Sequence, residues 1–390
     1  MDGLDRAYAR IPPPFPAATY GRHLKLLQDD MRSRGLAALL LFDPESIFWL
    51  TGYNSIGYFT FQCAVVTPDG PPELVSRRVN RQLALALGTI GAFVAIEDTD
   101  DAVAILAGHL ATRTPAGSAV GAETGSWYLT VQAYKALERS LDRRLVDWGG
   151  TIERARMRKT PEQVASMRRA ATAAVAGMDA ALHAIRPGCS ENDLAAAMLQ
   201  AATAAGSEYF RVPLVVAGPA TGICFATWQR RPVARGDVVF LESAACIDRY
   251  HAIVARCATV GAASAEQRRR AGLIVEALDR AIGAIRPGIT SGAVDAACRG
   301  VFERAGLGAY FDHRTAYAVG IGFPPNWAEG RFLALKPGDP TVLEPGMTFH
   351  IVPSLFMPDF GMCFSETVLV TETGCEALTQ HPRRLAEVAC

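Results

Sequence analysis

The amino-acid sequence predicts an α/β protein of two domains, the second of mixed α+β type and built from two similar halves. The first ~150 residues alternate helical and strand patterns, and a long Ala-rich helical pattern then begins near residue 161. The pentapeptide AIRPG occurs at 184–188 and again at 284–288. A chain of 390 residues has room for two hydrophobic cores. We place the boundary between residues 152 and 153.

The first domain, residues 1–152, has the pattern of a sheet covered by helices. Residues 20–34 form an amphipathic helical pattern, and GLAALLLFD (35–43) is a buried strand that ends at the turn DPES. A second apolar run, YFTFQCAVVTPDG, closes with the turn signal Pro-Asp-Gly. Helical segments then alternate with the short strands AFVAIED, SAVGAE and RLVDW. This alternation predicts an α/β layer.

The second domain, residues 153–390, contains the repeat. Its first helix, about 161–186, is predicted to be capped by Thr160-Pro161-Glu162. Each AIRPG follows an Ala-rich helix and precedes a helix that starts at serine. Further along each half, the predicted strand 234–243 corresponds in position to the predicted strand 344–353. Two units of helix, turn, helix and strand predict a pseudo-twofold fold. The equivalent strands meet near the pseudo-axis, where clefts tend to form.

Composition excludes several classes of protein. Apolar residues make up 50% and charged residues 20%, which is typical of globular chains. Lys+Arg and Asp+Glu are both 39, so no net charge favours nucleic acid or an anionic membrane. The apolar runs 36–42 and 212–217 fall far short of the ~20 residues of a membrane span. The N-terminus has no apolar core of a signal peptide, and nine cysteines without CxxC spacing indicate reduced thiols of a cytoplasmic protein.

The segment PGMTFHIVPSLF (345–356) places one imidazole in an apolar strand that is entered through a Pro-Gly turn. Residues i and i+2 of a strand share a face, so His350 is expected beside Val352. In the repeat, His350 corresponds to Phe240 and Val352 to Glu242. The unremarkable interpretation of His350 is a core histidine that is hydrogen-bonded to the backbone.

Five segments together resemble the creatinase/aminopeptidase P/methionine aminopeptidase family (M24), which has the pita-bread fold. They are FDPESIFWLTGY (42–53), RKTPEQVASMRRA (158–170), RGDVVFLESAACIDRYHAIVAR (235–256), RTAYAVGIGFPPNWAEG (314–330) and LEPGMTFHIVPSLFMPDFGMCFSETVLVTETG (343–374). Within the family the chain is most similar to ectoine hydrolase-type members. The resemblance implies a pita-bread catalytic domain preceded by a creatinase-N-like domain.

Metalloenzymes of this family bind two metal ions through Asp, Asp, His, Glu and Glu. The resemblance places these positions at Glu242, Ile253, Tyr317, Val352 and Glu366. Ile253 and Val352 carry no donor atom, and two carboxylates leave a dinuclear site mostly without ligands. The resemblance therefore implies a site without metal or other cofactor, as in creatinase.

The same resemblance implies which residues act on a substrate. The expected catalytic residues are Glu366, Glu242, His251 and His350, and the expected substrate-binding residues are Tyr317, Phe225, Phe59, Phe61, Arg314 and Trp327. Carboxylates near imidazoles in an apolar cavity can transfer protons. The resemblance places Phe225 where creatinase has its base histidine. It places Phe59-Thr60-Phe61 where a Phe-x-Arg segment of the partner subunit would supply an arginine. These aromatic replacements favour a more apolar ligand.

Structural interpretations of these residues remain open. Either glutamate would instead form a salt bridge with Arg256 or Arg314. Tyr317 would serve only in packing, and His251 would be a strand residue facing the surface.

The predicted function is metal-independent hydrolysis of an amide or amidine C–N bond in a small open-chain or cyclic metabolite. The alternatives are a lyase or rearrangement enzyme, an Xaa-Pro aminopeptidase-like metallopeptidase, and a non-catalytic binding module. The family also implies a homodimer in which the first domain of one subunit closes over the site of the other, with neither nucleic acid nor membrane as a partner.

Overall fold

The computed structural model describes residues 10–141, 145–209, 213–329 and 331–389. The chain forms two compact units, Met1–Arg156 and Met157–Cys390. The boundary predicted at 152/153 lies within the helix Thr151–Met157, and the division between the units falls near the C-terminal end of that helix. Residues 1–9, part of the N-terminal segment considered for a signal peptide, lie outside the described residues.

The helices and strands of the described residues are numbered in chain order. The helices are α1 Ala17–Ser33, α2 Pro44–Thr51, α3 Arg81–Ala86, α4 Ala102–Arg113, α5 Val131–Leu141, α6 Thr151–Met157, α7 Pro161–Ala184, α8 Glu191–Ala204, α9 Ala265–Ala284 and α10 Ser291–Arg304. The strands are β1 Leu36–Leu41, β2 Gln62–Val66, β3 Glu73–Arg77, β4 Ala92–Ile96, β5 Ala119–Ala122, β6 Leu145–Asp147, β7 Leu214–Ala217, β8 Val238–Ile247, β9 Tyr250–Val260, β10 Ala316–Ala318, β11 Ala334–Leu335, β12 Thr348–Ile351, β13 Ser354–Phe356, β14 Gly361–Cys363, β15 Glu366–Val370, β16 Cys375–Ala377 and β17 Ala386–Val388.

The first unit is a six-stranded mixed sheet with helices, in the strand order β4-β3-β2-β1-β5-β6. The α/β layer predicted from the alternating pattern is therefore confirmed. DPES differs from the prediction: Asp43 precedes a helix, α2, that starts at Pro44. Proline is favoured in the first turn of a helix because its fixed φ suits helical geometry and its missing N–H would have no partner there.

The second unit contains the predicted repeat. α7 and α8 recur as α9 and α10. Thr160 is the N-cap of α7, and its hydroxyl accepts from the backbone N–H of Gln163 in a capping box. The turn after each AIRPG helix also recurs. Gly188 N–H donates to the carbonyl of Val233 (2.8 Å), and Gly288 N–H donates to that of Leu343 (3.0 Å). Both glycines have φ above +80°, which a side chain would strain.

Two sheets form the centre of this unit, in the orders β17-β9-β8-β7 and β11-β10-β12-β15-β16. α7 and α8 share one hydrophobic core with β7–β9, and α9 and α10 share another with β10, β12 and β15. Side chains connect the sheets: the Thr367 hydroxyl accepts from Ile253 N–H (2.8 Å), and the Ser365 hydroxyl accepts from Ala255 N–H (2.7 Å). Strands from the two halves therefore meet at the middle of the unit.

Within the described residues, no helix is long and apolar enough to cross a membrane. The eight cysteines of the described ranges are free thiols, and most of them are buried.

Candidate active site

A cavity of about 160 Å³ lies in the second unit, beside the strands that come from its two halves. Its lining residues are Leu214, Cys224, Phe225, Phe240, Glu242, His313, Arg314, Tyr317, Trp327, Val352, Ser354, Phe356 and Cys363. At ~30 Å³ per water molecule in the liquid, this space corresponds to about five waters. It is well below the ~300 Å³ at which pockets for drug-sized ligands begin. The cavity therefore suits a compact ligand.

Glu242 supplies a carboxylate to an otherwise apolar wall of the cavity. It lies in β8, and all residues of that strand are buried. Its cross-strand partner in β7 is Leu214, which also lines the cavity. Burial raises the pKa of the Cys363 thiol well above its usual range, and the nearby charge of Glu242 adds to that shift. Glu242 also contributes, after burial and Asp312, to the raised pKa of Cys224. Glu242 thus contributes negative charge to the part of the cavity that Cys224 and Cys363 line.

Tyr317 connects the cavity to His350. The Tyr317 hydroxyl accepts from Nε1–H of Trp327 (2.9 Å) and is hydrogen-bonded to Nδ1 of His350 (2.7 Å). Nε2 of His350 is hydrogen-bonded to the Ser365 hydroxyl (2.7 Å). Tyr317 and His350 are cross-strand partners in β10 and β12, so their side chains share a face of the sheet.

His350 itself is fully buried and does not line the cavity. Burial lowers its pKa to about 3, so the ring is neutral near pH 7. β12 ends at Ile351, and Val352 lines the cavity whereas His350 does not, so the structure does not bring the two residues to one cavity wall. His350 therefore holds Tyr317 in position, and its hydrogen bonds go to side chains rather than to the backbone.

Arg314, Trp327 and Phe225, three of the residues predicted to bind substrate, also line the cavity. The Arg314 guanidinium lies over the Tyr317 ring, 5.1 Å from its centroid. Phe225 is 79% exposed and has a φ of +62°, a left-handed conformation that is rare for bulky residues. Phe225 thus combines a cavity-lining position with high exposure to solvent.

Glu366, expected as a catalytic residue, lies outside the cavity lining. Its carboxylate accepts from Arg256 (2.6 Å), Arg383 (3.0 Å) and the Thr379 hydroxyl. In β15, Glu366 pairs with Ile351 whereas Thr367 pairs with His350. Because cross-strand partners share a face, Glu366 points to the face opposite His350. This arrangement matches the alternative in which Glu366 forms a salt bridge with Arg256.

His251, another expected catalytic residue, is also absent from the cavity lining. The expectation of a surface-facing residue is wrong, because the side chain is buried in β9. Its Nδ1–H donates to the carbonyl of Gly320 (3.1 Å), and its Nε2 accepts from the Tyr209 hydroxyl (2.6 Å). Burial lowers its pKa to about 4, which keeps the ring neutral near pH 7.

Phe59 and Phe61 belong to the first unit. Phe59 is 76% exposed, and Phe61 packs against the hydrophobic core of that unit. Their expected role in substrate binding stays a prediction.

His313 and Ser354 are cavity residues that the sequence did not single out. Nδ1–H of His313 donates to the carbonyl of Arg314 (2.7 Å), and the Ser354 hydroxyl lies 2.5 Å from Nε2 of His313. Burial lowers the pKa of His313. The available signals were positional: His313 adjoins Arg314, and Ser354 lies in the same twelve-residue segment as His350.

Comparison with known proteins identifies the family. Residues 165–372 match the model of metallopeptidase family M24, and residues 23–158 match the creatinase/prolidase N-terminal domain. The chain belongs to family M24. An ectoine hydrolase from Halomonas elongata is 30% identical over 95% of this chain and 98% of its own length. A probable dipeptidase PepE from Mycobacterium tuberculosis is 26% identical over 96% of this chain and 98% of its own length.

Solved structures of M24 proteins show the same fold. A prolidase from Thermococcus sibiricus superposes with a TM-score of 0.86 at 22% identity, covering 95% of this chain and 99% of its own. The dipeptidase PepE from Mycobacterium ulcerans gives a TM-score of 0.84 at 24% identity, covering 96% and 100%. Together with the sequence relatives, membership of M24 indicates a hydrolase that acts on C–N bonds.

The residues that the family resemblance places at the metal positions lack donor atoms for a pair of divalent ions. Ile253 and Val352 have no donor atoms, and the Glu366 carboxylate is neutralised by two arginines. In the described ranges, no group of three or more His, Cys, Asp and Glu side chains is placed to hold a metal ion. The chemistry of the cavity therefore has to be derived from its own side chains.

Proposed function

We propose that this M24 protein hydrolyses a C–N bond in a compact amide or amidine, without a bound metal ion. The observation that carries the proposal is the cavity of about 160 Å³ in which Glu242, Arg314 and Tyr317 lie together. The two-ion chemistry of a metallopeptidase lacks its donors at Ile253 and Val352. The similarity to an ectoine hydrolase supports a small, polar substrate of this kind.

Glu242 is the group best placed to move protons during such a reaction. A carboxylate in an apolar cavity can accept a proton from an attacking water molecule and return it to the leaving group. Arg314 offers a permanent positive charge that can bind a substrate carboxylate or stabilise a developing oxyanion. The Tyr317 hydroxyl is hydrogen-bonded to both Trp327 and His350, so this wall of the cavity is ordered before substrate binds.

A dipeptidase is the second candidate, favoured by the similarity to PepE over nearly the whole chain. The two candidates differ in what they require. A two-metal dipeptidase needs ligands for both ions, whereas the proposed hydrolase depends on Glu242. Xaa-Pro dipeptides belong in the substrate screen together with cyclic amidines, lactams and N-acyl diamino acids.

The test is turnover by the Glu242→Gln variant in water enriched in ¹⁸O, after the screen has identified a substrate. Hydrolysis by the wild type incorporates one heavy oxygen into the product, and Glu242→Gln is expected to lower the rate by ~10²-fold or more. Glu376→Gln, which removes an exposed carboxylate that pairs with Arg168, is the control.

Three results would contradict the proposal. Unchanged turnover by Glu242→Gln would exclude the assigned role of the carboxylate. A product without heavy oxygen would indicate a lyase or a rearrangement. If a compound from the screen binds but no compound is turned over, the protein is a binding module.

We also propose that the protein acts as a homodimer, as the family resemblance implies. The first unit carries exposed aromatic side chains at Phe59 and Trp127, and Tyr58 contacts the rings of both Phe59 and Tyr128. Exposed apolar patches on a soluble domain often mark interfaces. Light scattering at micromolar concentration tests this, and a monomer alone would refute it.

A further inference from the structure

The cavity contains a hydroxyl and an imidazole that the roles given to Glu242 and Arg314 leave without an assignment. Ser354 begins β13, directly after Pro353, and its side chain is 1% exposed. His313 precedes β10 and is mostly buried. The two residues are 41 positions apart in the chain, yet Ser354 Oγ lies 2.5 Å from His313 Nε2, and both line the cavity.

The hydrogen bonds of His313 fix which of its nitrogens carries the proton. The carbonyl of Arg314 can only accept, so Nδ1 of His313 must be the donor in that contact. In the neutral ring Nε2 then has a free lone pair. The Ser354 hydroxyl lies 2.5 Å from it and 3.4 Å from the carbonyl of Val352, and the shorter contact is the one in which its O–H donates to Nε2. Burial lowers the pKa of His313, which favours this neutral form at physiological pH.

We propose that Ser354 is a nucleophile for acyl transfer and that His313 is its general base. The inference rests on the proposed C–N hydrolysis and names the residues that carry it out. A hydroxyl in hydrogen-bond contact with an imidazole, which is itself oriented by a third group, is the arrangement that activates serine for attack. Here the orienting group is the backbone carbonyl of Arg314, and the Arg314 side chain is the cation that faces the developing oxyanion.

The reaction proceeds in two balanced steps. Ser354 Oγ attacks the carbon of the C–N bond while its proton passes to Nε2 of His313. The C–N bond then breaks, the nitrogen takes that proton and leaves as the amine, and the acyl group remains on Ser354 as an ester. In the second step a water molecule loses a proton to the Glu242 carboxylate and attacks the ester. The acid departs, and the Ser354 hydroxyl recovers its proton.

Other nucleophiles in the cavity are less suited to this role. Cys224 and Cys363 both line it, but burial and nearby carboxylates raise the pKa of each thiol, so both stay protonated near pH 7. The described contacts of these thiols include no imidazole, whereas Ser354 contacts His313 directly. The serine is therefore the side chain with a base beside it.

Covalent labelling tests the inference without knowledge of the natural substrate. The intact protein is treated with a small alkyl fluorophosphonate and, separately, with p-nitrophenyl acetate, and adducts are located by mass spectrometry of peptides. One adduct on Ser354 is expected. Ser354→Ala should abolish it, and His313→Gln should slow its formation by ~10²-fold or more.

The control is Ser243→Ala, which also removes a buried hydroxyl. In the described part of the chain the Ser243 hydroxyl has no hydrogen-bond partner, and Ser243 does not line the cavity, so labelling should persist in this variant. Melting curves of each variant show whether a lost label reflects unfolding. If Ser354→Ala remains folded, its loss of labelling is attributable to the missing hydroxyl.

Failure of this inference can be distinguished from failure of the proposed function. If wild-type protein carries no adduct with either reagent, or carries it on Cys224, Ser354 is not the nucleophile. If Ser354→Ala retains turnover while Glu242→Gln loses it, hydrolysis stands, and His313 or Glu242 activates water directly. If no substrate is hydrolysed but Ser354 is labelled, the pair is reactive and the proposed substrate class is wrong.

Discussion

Replacement of Glu366 by Gln separates a structural carboxylate from a catalytic one. Glu366 and Arg256 are each 1% exposed, and their charged atoms are 2.6 Å apart. Gln keeps the size and one oxygen acceptor but carries no negative charge. The Arg256 guanidinium would then stay buried with its positive charge uncompensated by its nearest carboxylate. Burial already lowers the pKa of Arg256, and the charge of Glu366 opposes that shift.

The expected cost follows from what remains around Arg256. Removal of one partner from a buried ion pair typically costs ~3–5 kcal/mol. Arg256 would keep hydrogen bonds to the carbonyls of Ala255 (2.8 Å), Ser365 (2.6 Å) and His381 (2.6 Å). We therefore expect the lower end, a loss of ~3 kcal/mol in the free energy of unfolding. For a unit of this size that lowers the melting temperature by roughly 6–12 °C.

The assay is thermal and urea unfolding together with turnover per folded molecule. Glu376→Gln is the matched control, because Glu376 pairs with Arg168 at 2.7 Å on the exposed surface, where such a pair contributes ~1 kcal/mol or less. Glu366→Gln should unfold earlier and retain turnover within a few-fold, and Glu242→Gln should do the reverse. If Glu366→Gln melted like its control and lost turnover, Glu366 would be catalytic and the orientation derived from the β12–β15 register would be wrong.

Three further predictions concern the buried histidines, metal and the Tyr317 contacts. His251 and His350 have pKa values lowered to about 4 and about 3, so below pH 6.5 the unfolded chain binds protons that the folded chain does not, and stability decreases as the pH is lowered. His350→Gln should reduce the slope of the unfolding free energy against pH, between pH 6 and 4.5, by ~1.4 kcal/mol per pH unit in urea titrations. An unchanged slope would contradict this prediction. Dialysis against EDTA should leave turnover unchanged and elemental analysis should find less than one metal ion per chain, whereas activity restored only by added metal would favour the dipeptidase. Tyr317→Phe should destabilise the protein by ~1–3 kcal/mol, because it removes the hydrogen bond to buried His350 Nδ1, and an unaltered urea midpoint would exclude that role.

Local patterns in the sequence predicted much of the second unit. The Thr160 cap depends on a contact between residues that are close in the chain, and the two glycine turns and the helix pairs were recognisable because their sequence pattern is repeated. The exception in the first unit is instructive. DPES combines turn-forming residue types, and Pro44 is equally suited to begin a helix, so the segment alone could not distinguish the two outcomes.

The candidate site was predicted in part. Glu242, Tyr317, Arg314, Trp327 and Phe225 all line the cavity. His350 and Glu366 were expected to face it as well, and the structure places one behind Tyr317 and the other beside Arg256. Alternation along a strand assumes that the strand continues, and β12 ends at Ile351.

The sequence by itself determined which chemical groups are available: Ile253 and Val352 have no metal-binding atoms in any fold. Only the tertiary structure decided which groups meet. The pairing of His350 with Thr367, rather than with Glu366, is set by the register between β12 and β15, and Ser354 reaches His313 across 41 residues. Such contacts depend on hydrogen bonding between strands that are distant in the chain, and a pattern read along one segment does not contain that information.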